Sequence, residues 1–297
     1  MAKRYNWVEV FFMFISPMLL ETSPGPFSHS EYIFEPKVDG HRLIFSQQSG
    51  DIRLYTRHNN VCTQQYPELL LPFDDDIILD GEVACTDPDT GLNDFEGVMS
   101  RFSTRQHSKV LQLTKTLPAT FAIFDILRYK GRDLRKLPLI ERKTILHGLN
   151  LPSSSFGVVP HIEGAGEALY VQIEAMGMEG VVGKRKDSQY VSRRSRDWQK
   201  VINWSYANVF ITGYKKAKFG WLAAVSDLSG KLRPAGIIEH GPNQKHKQAF
   251  RGVCKQLVTG EDKNHVYLEP RIQARVKMRN WTKSGLLRTP VFEQFIV

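Results

Sequence analysis

Apolar residues in the first two thirds of the chain fall into short runs of strand length. Tyr32–Phe34, Arg42–Gln47, Ile52–Tyr55, Ile77–Ala84 and Phe121–Leu127 are rich in β-branched and aromatic side chains. Turn formers at Gly40, Ser49-Gly50 and Asp74–Asp76 separate the first of them. Two stretches, about 138–149 and 165–177, predict helices. Pro138 stands at the start of the first and Asn150 just past its end, which suits helix entry and exit. Val181-Val182, Val191 and Trp198–Trp204 return to strand character. From Val209 short strands alternate with Gly, Pro, Asn and Asp, which predicts a small all-β unit. The pattern predicts an α+β fold: a mixed domain over 13–204, then an all-β domain over 205–297, with a joint near 203–208.

The apolar run Trp7–Leu20 follows Lys3-Arg4, as in a signal peptide. Glu9 interrupts it, Pro17 ends it, and no small-residue cleavage site follows. It is also too short to span a bilayer. Val8-Glu9-Val10 can be encoded by a purine-rich sequence of ribosome-binding type, and Met13 follows at a suitable distance. The expectation is that residues 1–12 are a non-native leader and Met13 the natural start.

The net charge of +9 is unevenly placed. Residues 205–297 hold 16 Lys and Arg against 6 Asp and Glu, a net of +10, and the rest of the chain is close to neutral. A basic domain joined to a near-neutral one suggests a polyanion grip beside a second functional unit. Cys62, Cys85 and Cys254 are scattered, with no Cys-x-x-Cys pair. They support neither a disulfide framework nor a zinc site and fit a reducing, cytoplasmic setting. No membrane partner is expected, and a monomer is the default.

Candidate chemistry centres on Lys37-Val38-Asp39-Gly40-His41-Arg42. A lysine amine held beside a carboxylate and a permissive glycine suits covalent catalysis, because the neutral amine can attack phosphorus or carbonyl carbon. The same residues could instead form a plain hairpin whose Asp-Gly makes the turn.

Lys-x-Asp-Gly-x-Arg resembles the nucleotidyltransferase signature of ATP-dependent DNA ligases, RNA ligases and mRNA capping enzymes. Further elements follow in that superfamily's order. Glu35 resembles the glutamate that accepts from the adenine amino group. Thr56-Arg57-His58-Asn59 is similar to the Ser/Thr-Arg-x-Gly element, whose arginine contacts phosphate, with Asn59 in place of glycine. Asparagine also tolerates a left-handed turn. Leu79-Asp80-Gly81-Glu82 resembles the element whose glutamate holds ribose or metal, and Phe124-Asp125 the aromatic-Asp pair whose ring stacks on the purine. In Glu179-Gly180-Val181-Val182-Gly183-Lys184 the resemblance implies that Glu179 binds a divalent metal and an apolar residue, Val182, covers the other purine face. Trp198-Gln199-Lys200 is similar to the element that places Lys200 on the α-phosphate. Asn280-Trp281-Thr282-Lys283-Ser284-Gly285-Leu286-Leu287-Arg288 resembles a stretch of small bacterial and phage ATP-dependent DNA ligases.

The resemblance covers about residues 13–297. It implies an antiparallel-sheet adenylation domain followed by an OB fold. Lys37 is the implied AMP acceptor, ATP the donor and Mg²⁺ or Mn²⁺ the metal, on Glu82 and Glu179. The metal is implied to shield phosphate charge and help Lys37 lose its proton. Asp39 is implied to orient Lys37. Arg42 and Arg57 are implied to orient ribose and nick phosphates, and Lys184 to stand near the nucleotide. Nicked duplex DNA is the implied partner, gripped by Arg42, Arg57, Lys215, Lys216, Lys218, Arg279, Lys283 and Arg288. Two departures stand out. Ile202 occupies the place of a second lysine two residues after Lys200, and the Arg-x-Asp-Lys-type element of the OB domain is not found before Phe295-Ile296-Val297. An RNA ligase is the nearest alternative. A non-catalytic OB-type nucleic-acid-binding protein with a decayed transferase domain is another: the departures argue for it, and Lys37, Glu82 and Glu179 against it.

Overall fold

In the computed structural model, residues 13–227 and 229–296 are described. The expected leader, 1–12, lies outside them. Two compact units divide between Asn203 and Trp204. In chain order the first holds β1 (Leu19–Thr22), β2 (His29–Pro36), β3 (His41–Gln48), β4 (Asp51–Thr56), β5 (Ile77–Cys85), α1 (Phe95–Ser103) and α2 (His107–Thr116). It continues with β6 (Ala119–Tyr129), β7 (Arg132–Asp133), α3 (Leu139–His147), β8 (Phe156–Val158), β9 (Ile162–Gly164), α4 (Gly166–Ala175), β10 (Gly180–Arg185) and β11 (Arg194–Ile202). One sheet has the order β1-β11-β10-β2-β9, the other β4-β3-β5-β6-β7 with β8 added on β6.

The second sheet is covered on both faces, so its strands read as apolar runs rather than as alternation. Leu43, Phe45, Leu79 and Val83 join Phe121 and Phe156 in one cluster. Ile44, Ile78 and Leu127 face the other way and pack on Ile33 and Trp198 of the first sheet. Ile15 and Met18 drop into that same layer, which gives the apolar stretch after Met13 a place in the core. On the far face of the first sheet, Phe34 and Val181 pack against Ile173 of α4.

β2 and β3 lie in different sheets. Lys37–Gly40 is therefore a crossover between sheets and not a hairpin turn. The Lys37 backbone N–H donates to the Gly180 carbonyl at 2.8 Å and ties the crossover to β10. A Cβ at Gly40 would lie 1.9 Å from the Val83 carbonyl oxygen, so only glycine lets the chain pass this close to β5. Asn59 takes φ of 62°, the left-handed turn its side chain tolerates.

α3 starts after Pro138 as the sequence predicts, and Gly148 caps its end. α1 and α2 lie where no helix was expected; Asp94 caps α1 by accepting from the Gly97 N–H at 2.9 Å. Val191 and Trp204, read as strand, lie outside the strands.

The second unit holds β12 (Ser205–Lys215), β13 (Trp221–Ser226), β14 (Leu232–Ile238), α5 (Gln244–Cys254), β15 (Val258–Glu261), β16 (His265–Met278) and β17 (Val291–Ile296). Its sheet runs β14-β13-β12-β16-β15, with β17 on β16, and a bridge from His240 to Val291 links the end of β14 to the start of β17. Val209, Ile211, Trp221, Ala235, Val276 and Phe292 fill its core. The expectation of an all-β unit is corrected by α5. That helix buries Phe250 and Cys254, which with Val253 form one short apolar stripe at helical spacing, and a capping box between Asn243 and His246 marks its start. The three cysteines are buried and free. Among the described residues no helix is long and apolar enough to cross a membrane.

Candidate active site

Directly opposed residues of neighbouring strands share a face. Arg42 lies opposite Glu82 and Ile44 opposite Asp80. On the other sheet Glu35 lies opposite Val182, and Val182 opposite Lys200. Ile33 and Ile44, one pleat along these rows, pack together, so both rows face the layer between the sheets. Phe124 reaches in from β6 and Lys37 from the crossover. Glu35, Lys37, Arg42, Glu82, Phe124, Val182 and Lys184 line one small cavity of about 50 Å³, together with Leu20, Pro36, Val38 and Trp198.

At the lysine end, Lys37 Nζ donates to Glu179 Oε2 at 2.7 Å. Glu179 directly precedes β10, and the crossover's backbone bond to Gly180 fixes the approach. Burial pushes the Glu82 carboxyl up to about 7, against the pull of Lys37 and Arg42. Arg42 grips Asp80 with two nitrogens, each at 2.5 Å, and the Tyr190 hydroxyl donates to the same carboxylate at 2.6 Å. Burial opposes the Arg42 charge, but Asp80 outweighs it and raises the guanidinium above its ordinary value. Its carbon end lies 4.6 Å from the Phe124 ring centre.

At the other end Glu35 is buried between two lysines, Lys143 of α3 on one oxygen and Lys184 at 2.7 Å on the other. Burial alone would raise the Glu35 carboxyl; the two ammonium groups outweigh it and hold it below its ordinary value. Burial brings Lys184 down to about 8, with Glu35 resisting. Its ammonium sits 4.3 Å from the Phe124 ring centre and 4.2 Å from that of Trp198. Two lysines against one carboxylate leave this end of the cavity with an excess of positive charge.

Not every candidate converges. Lys200 shares the row of Val182 without lining the cavity. Asp39 is half-buried in the crossover, and Arg57 is exposed on the turn after β4, outside the cavity lining. Asp125, next to Phe124, is structural: both its oxygens accept from Arg142 at 2.8 Å. Sequence reasoning missed the Asp80–Tyr190 support of Arg42 and the lysine from α3. Period two places Asp80 on the face of Glu82, a signal that could have found it; nothing in the sequence marks Lys143.

The family profile described as ATP dependent DNA ligase domain matches residues 17–201. The chain belongs to this family. Over 287 residues it is 37% identical to the SPbeta prophage-derived DNA ligase-like protein LigB of Bacillus subtilis, covering 96% of this ligase and 100% of that protein. It is 27% identical over 281 residues to the multifunctional non-homologous end joining DNA repair protein LigD of Mycobacterium tuberculosis, covering 87% of this chain but only 35% of LigD. The ligase domain of M. tuberculosis LigD superposes with a TM-score of 0.56 at 25% identity, over 95% of this chain and 94% of that one. A Lig E DNA ligase structure shares the fold with a TM-score of 0.66 at 19% identity, over 96% and 100% of the two chains. The mixed, mostly sheet architecture of this ligase is that of ligase catalytic cores.

In the second unit of this ligase, Lys215, Lys216 and Lys218 line a concavity of about 530 Å³ with Lys247, Arg251 and Lys255 of the α5 region, over a floor that includes Trp221 and Phe250. Lys215 pairs with Glu239 at 2.6 Å and Lys216 with Glu261 at 3.0 Å. Arg279, Lys283 and Arg288 lie elsewhere, on the segment between β16 and β17, where the Arg279 N–H donates to the Arg288 carbonyl at 3.0 Å. Lys283 is exposed, and the two arginines are half-buried.

Proposed function

We propose that this ligase seals nicks between a 3′-hydroxyl and a 5′-phosphate in duplex DNA, with ATP as donor and Lys37 as the covalent carrier of AMP. The contact between Lys37 Nζ and Glu179, at 2.7 Å on a crossover held to β10, supports this reading most directly. Lys37 Nζ attacks the α-phosphorus, a P–N bond forms, and the bond to pyrophosphate breaks. Glu179, already hydrogen-bonded to the amine, is the group placed to take its proton. An oxygen of the 5′-phosphate at the nick next attacks the same phosphorus and releases Lys37. The 3′-hydroxyl then displaces AMP and closes the strand.

Glu35 accepts from the adenine amino group, and Phe124 and Val182 flank the purine. Glu82 holds ribose or metal, Lys184 and Lys200 approach phosphate, and Asp39 orients Lys37. Arg42 and Arg57 orient ribose and nick phosphates. The cavity is well below the usual volume of a ligand site, roughly 300 Å³ or more. Nucleotide entry therefore requires side chains to move, and Lys184, resting on Phe124, is the first in the way. Mg²⁺ or Mn²⁺ fits Glu82 and Glu179 as hard oxygen donors. Among the described residues no group of three or more His, Cys, Asp or Glu could hold a metal ion, so water and phosphate oxygens would complete its shell, as is usual for Mg²⁺. Such an ion neutralises phosphate charge. We read the second unit as an OB fold whose excess of cations grips the DNA backbone.

The test is transfer of label to the denatured chain from α-³²P-labelled ATP or GTP with Mg²⁺, for the wild type and Lys37→Ala. Label from ATP only, absent in the variant, is expected. Label retained by Lys37→Ala, or none from either nucleotide, overturns the reading.

A further inference from the structure

Lys143 stands outside every motif of the active site, yet its ammonium reaches one. It projects from α3, is 1% exposed, and forms an ion pair with Glu35 Oε1, while Lys184 takes Glu35 Oε2 at 2.7 Å. Three charged groups in so dry a place are costly unless their geometry is fixed. α3 itself is pinned next door, where Arg142 donates to Asp125 twice at 2.8 Å and to the Leu137 and Ser188 carbonyls at 2.6 and 3.0 Å. Lys143 therefore arrives on a rigid element. Lys184 is nearly as buried, at 2% exposed, but its ammonium also covers the rings of Phe124 and Trp198, so on the reading of Phe124 as the purine shelf it stands where the base enters.

We infer that Lys143 is a positioning residue for nucleotide choice: it keeps the Glu35 carboxylate ionised and aimed into the cavity after Lys184 has moved aside. This rests on the reading of Glu35 as acceptor for the adenine amino group. Without Lys143 the buried carboxylate loses its permanent counter-ion, takes up a proton more readily, and can turn a hydroxyl instead of a lone pair toward the base. The effect falls on recognition of the amino group and not on the attack by Lys37, which lies at the other end of the cavity with Glu179.

Loading of Lys37 from ATP is compared with loading from purine riboside triphosphate, which lacks the 6-amino group, in the wild type, Lys143→Met and Lys143→Arg. The wild type is expected to prefer ATP. Lys143→Met should raise KM for ATP about tenfold with kcat within about twofold, leave KM for the analogue nearly unchanged, and so collapse the preference; Lys143→Arg should restore most of it. A folded Lys143→Met that keeps the wild-type ratio overturns the inference. If that variant does not fold, Lys143→Gln, which keeps a donor but no charge, replaces it: a reduced ratio supports the inference and an unchanged one overturns it. A wild type that accepts both triphosphates equally removes the role of Glu35 itself, and the inference falls with it.

Discussion

At Glu82 the burial that lifts its carboxyl to about 7 also makes the fold less stable once the proton is lost. The unfolded carboxyl titrates near 4.5. Between these values the folded chain keeps a proton that the unfolded chain has released, so stability falls as pH rises through the window. Glu82→Gln carries no charge at any pH. It is expected to be more stable than the wild type at pH 8, by about 1–3 kcal/mol, and to show little of that gain near pH 4. Thermal melts in metal-free buffer at the two pH values check this; an equal gain at both would show that the carboxylate is not the source. On the proposed reading, in which Glu82 holds ribose or metal, the same variant should transfer less label from α-³²P-labelled ATP to Lys37, a burial cost in stability exchanged for function. Glu35, Lys37, Glu82 and Phe124 were legible in the sequence because each sits at a fixed offset within a short element, and they do meet around one cavity. Asp80 with Tyr190, and Glu35 with Lys143, were not, because those pairs exist only once distant segments have folded together.

Strands buried on both faces gave clear apolar runs, so β3, β5 and β6 could be read from the sequence nearly to their ends. Helices were harder. α3 announced itself through Pro138, but α5, with two buried residues in eleven, offered only the short stripe of Phe250, Val253 and Cys254. The Asp39-Gly40 pair carried a hairpin signal that the sheet order overrides, since β2 and β3 end up in different sheets. What no local pattern could show is how α3 docks. Its Arg142 is fully buried and holds Asp125 of β6 with two bonds at 2.8 Å. Removing one partner strands the other charge in the interior, which costs about 3–5 kcal/mol. Arg142→Met is accordingly expected to destabilise the protein by about that much, and adding Asp125→Asn should recover a good part of it. Urea unfolding of the single and double variants decides the point. A double variant no more stable than Arg142→Met would mean that Arg142 acts through the Leu137 and Ser188 carbonyls rather than through Asp125.

Across the whole molecule the charge is divided by task. Residues 205–297 carry a net of +10, while the unit with Lys37 is close to neutral overall and sets two lysines against one buried carboxylate at the Glu35 end of its cavity. In the second unit, Lys215 and Lys216 are partly neutralised by Glu239 and Glu261, whereas Lys218, Lys247, Arg251 and Lys255 form no ion pair among the described residues. These four line the same concavity, and Lys247 is held 4.2 Å from the Phe219 ring centre. Cations without an ion-pair partner are the ones whose binding to phosphate releases the most condensed counter-ions. The double variant Lys218→Ala/Lys247→Ala is therefore expected to weaken binding to nicked duplex DNA and to make the plot of log affinity against log salt shallower by about 2, close to one unit for each phosphate no longer neutralised. Anisotropy titrations across a salt series measure both quantities. If affinity falls with the slope unchanged, the lysines act by shaping the surface. If neither changes, the grip lies with Arg279, Lys283 and Arg288 on the segment between β16 and β17.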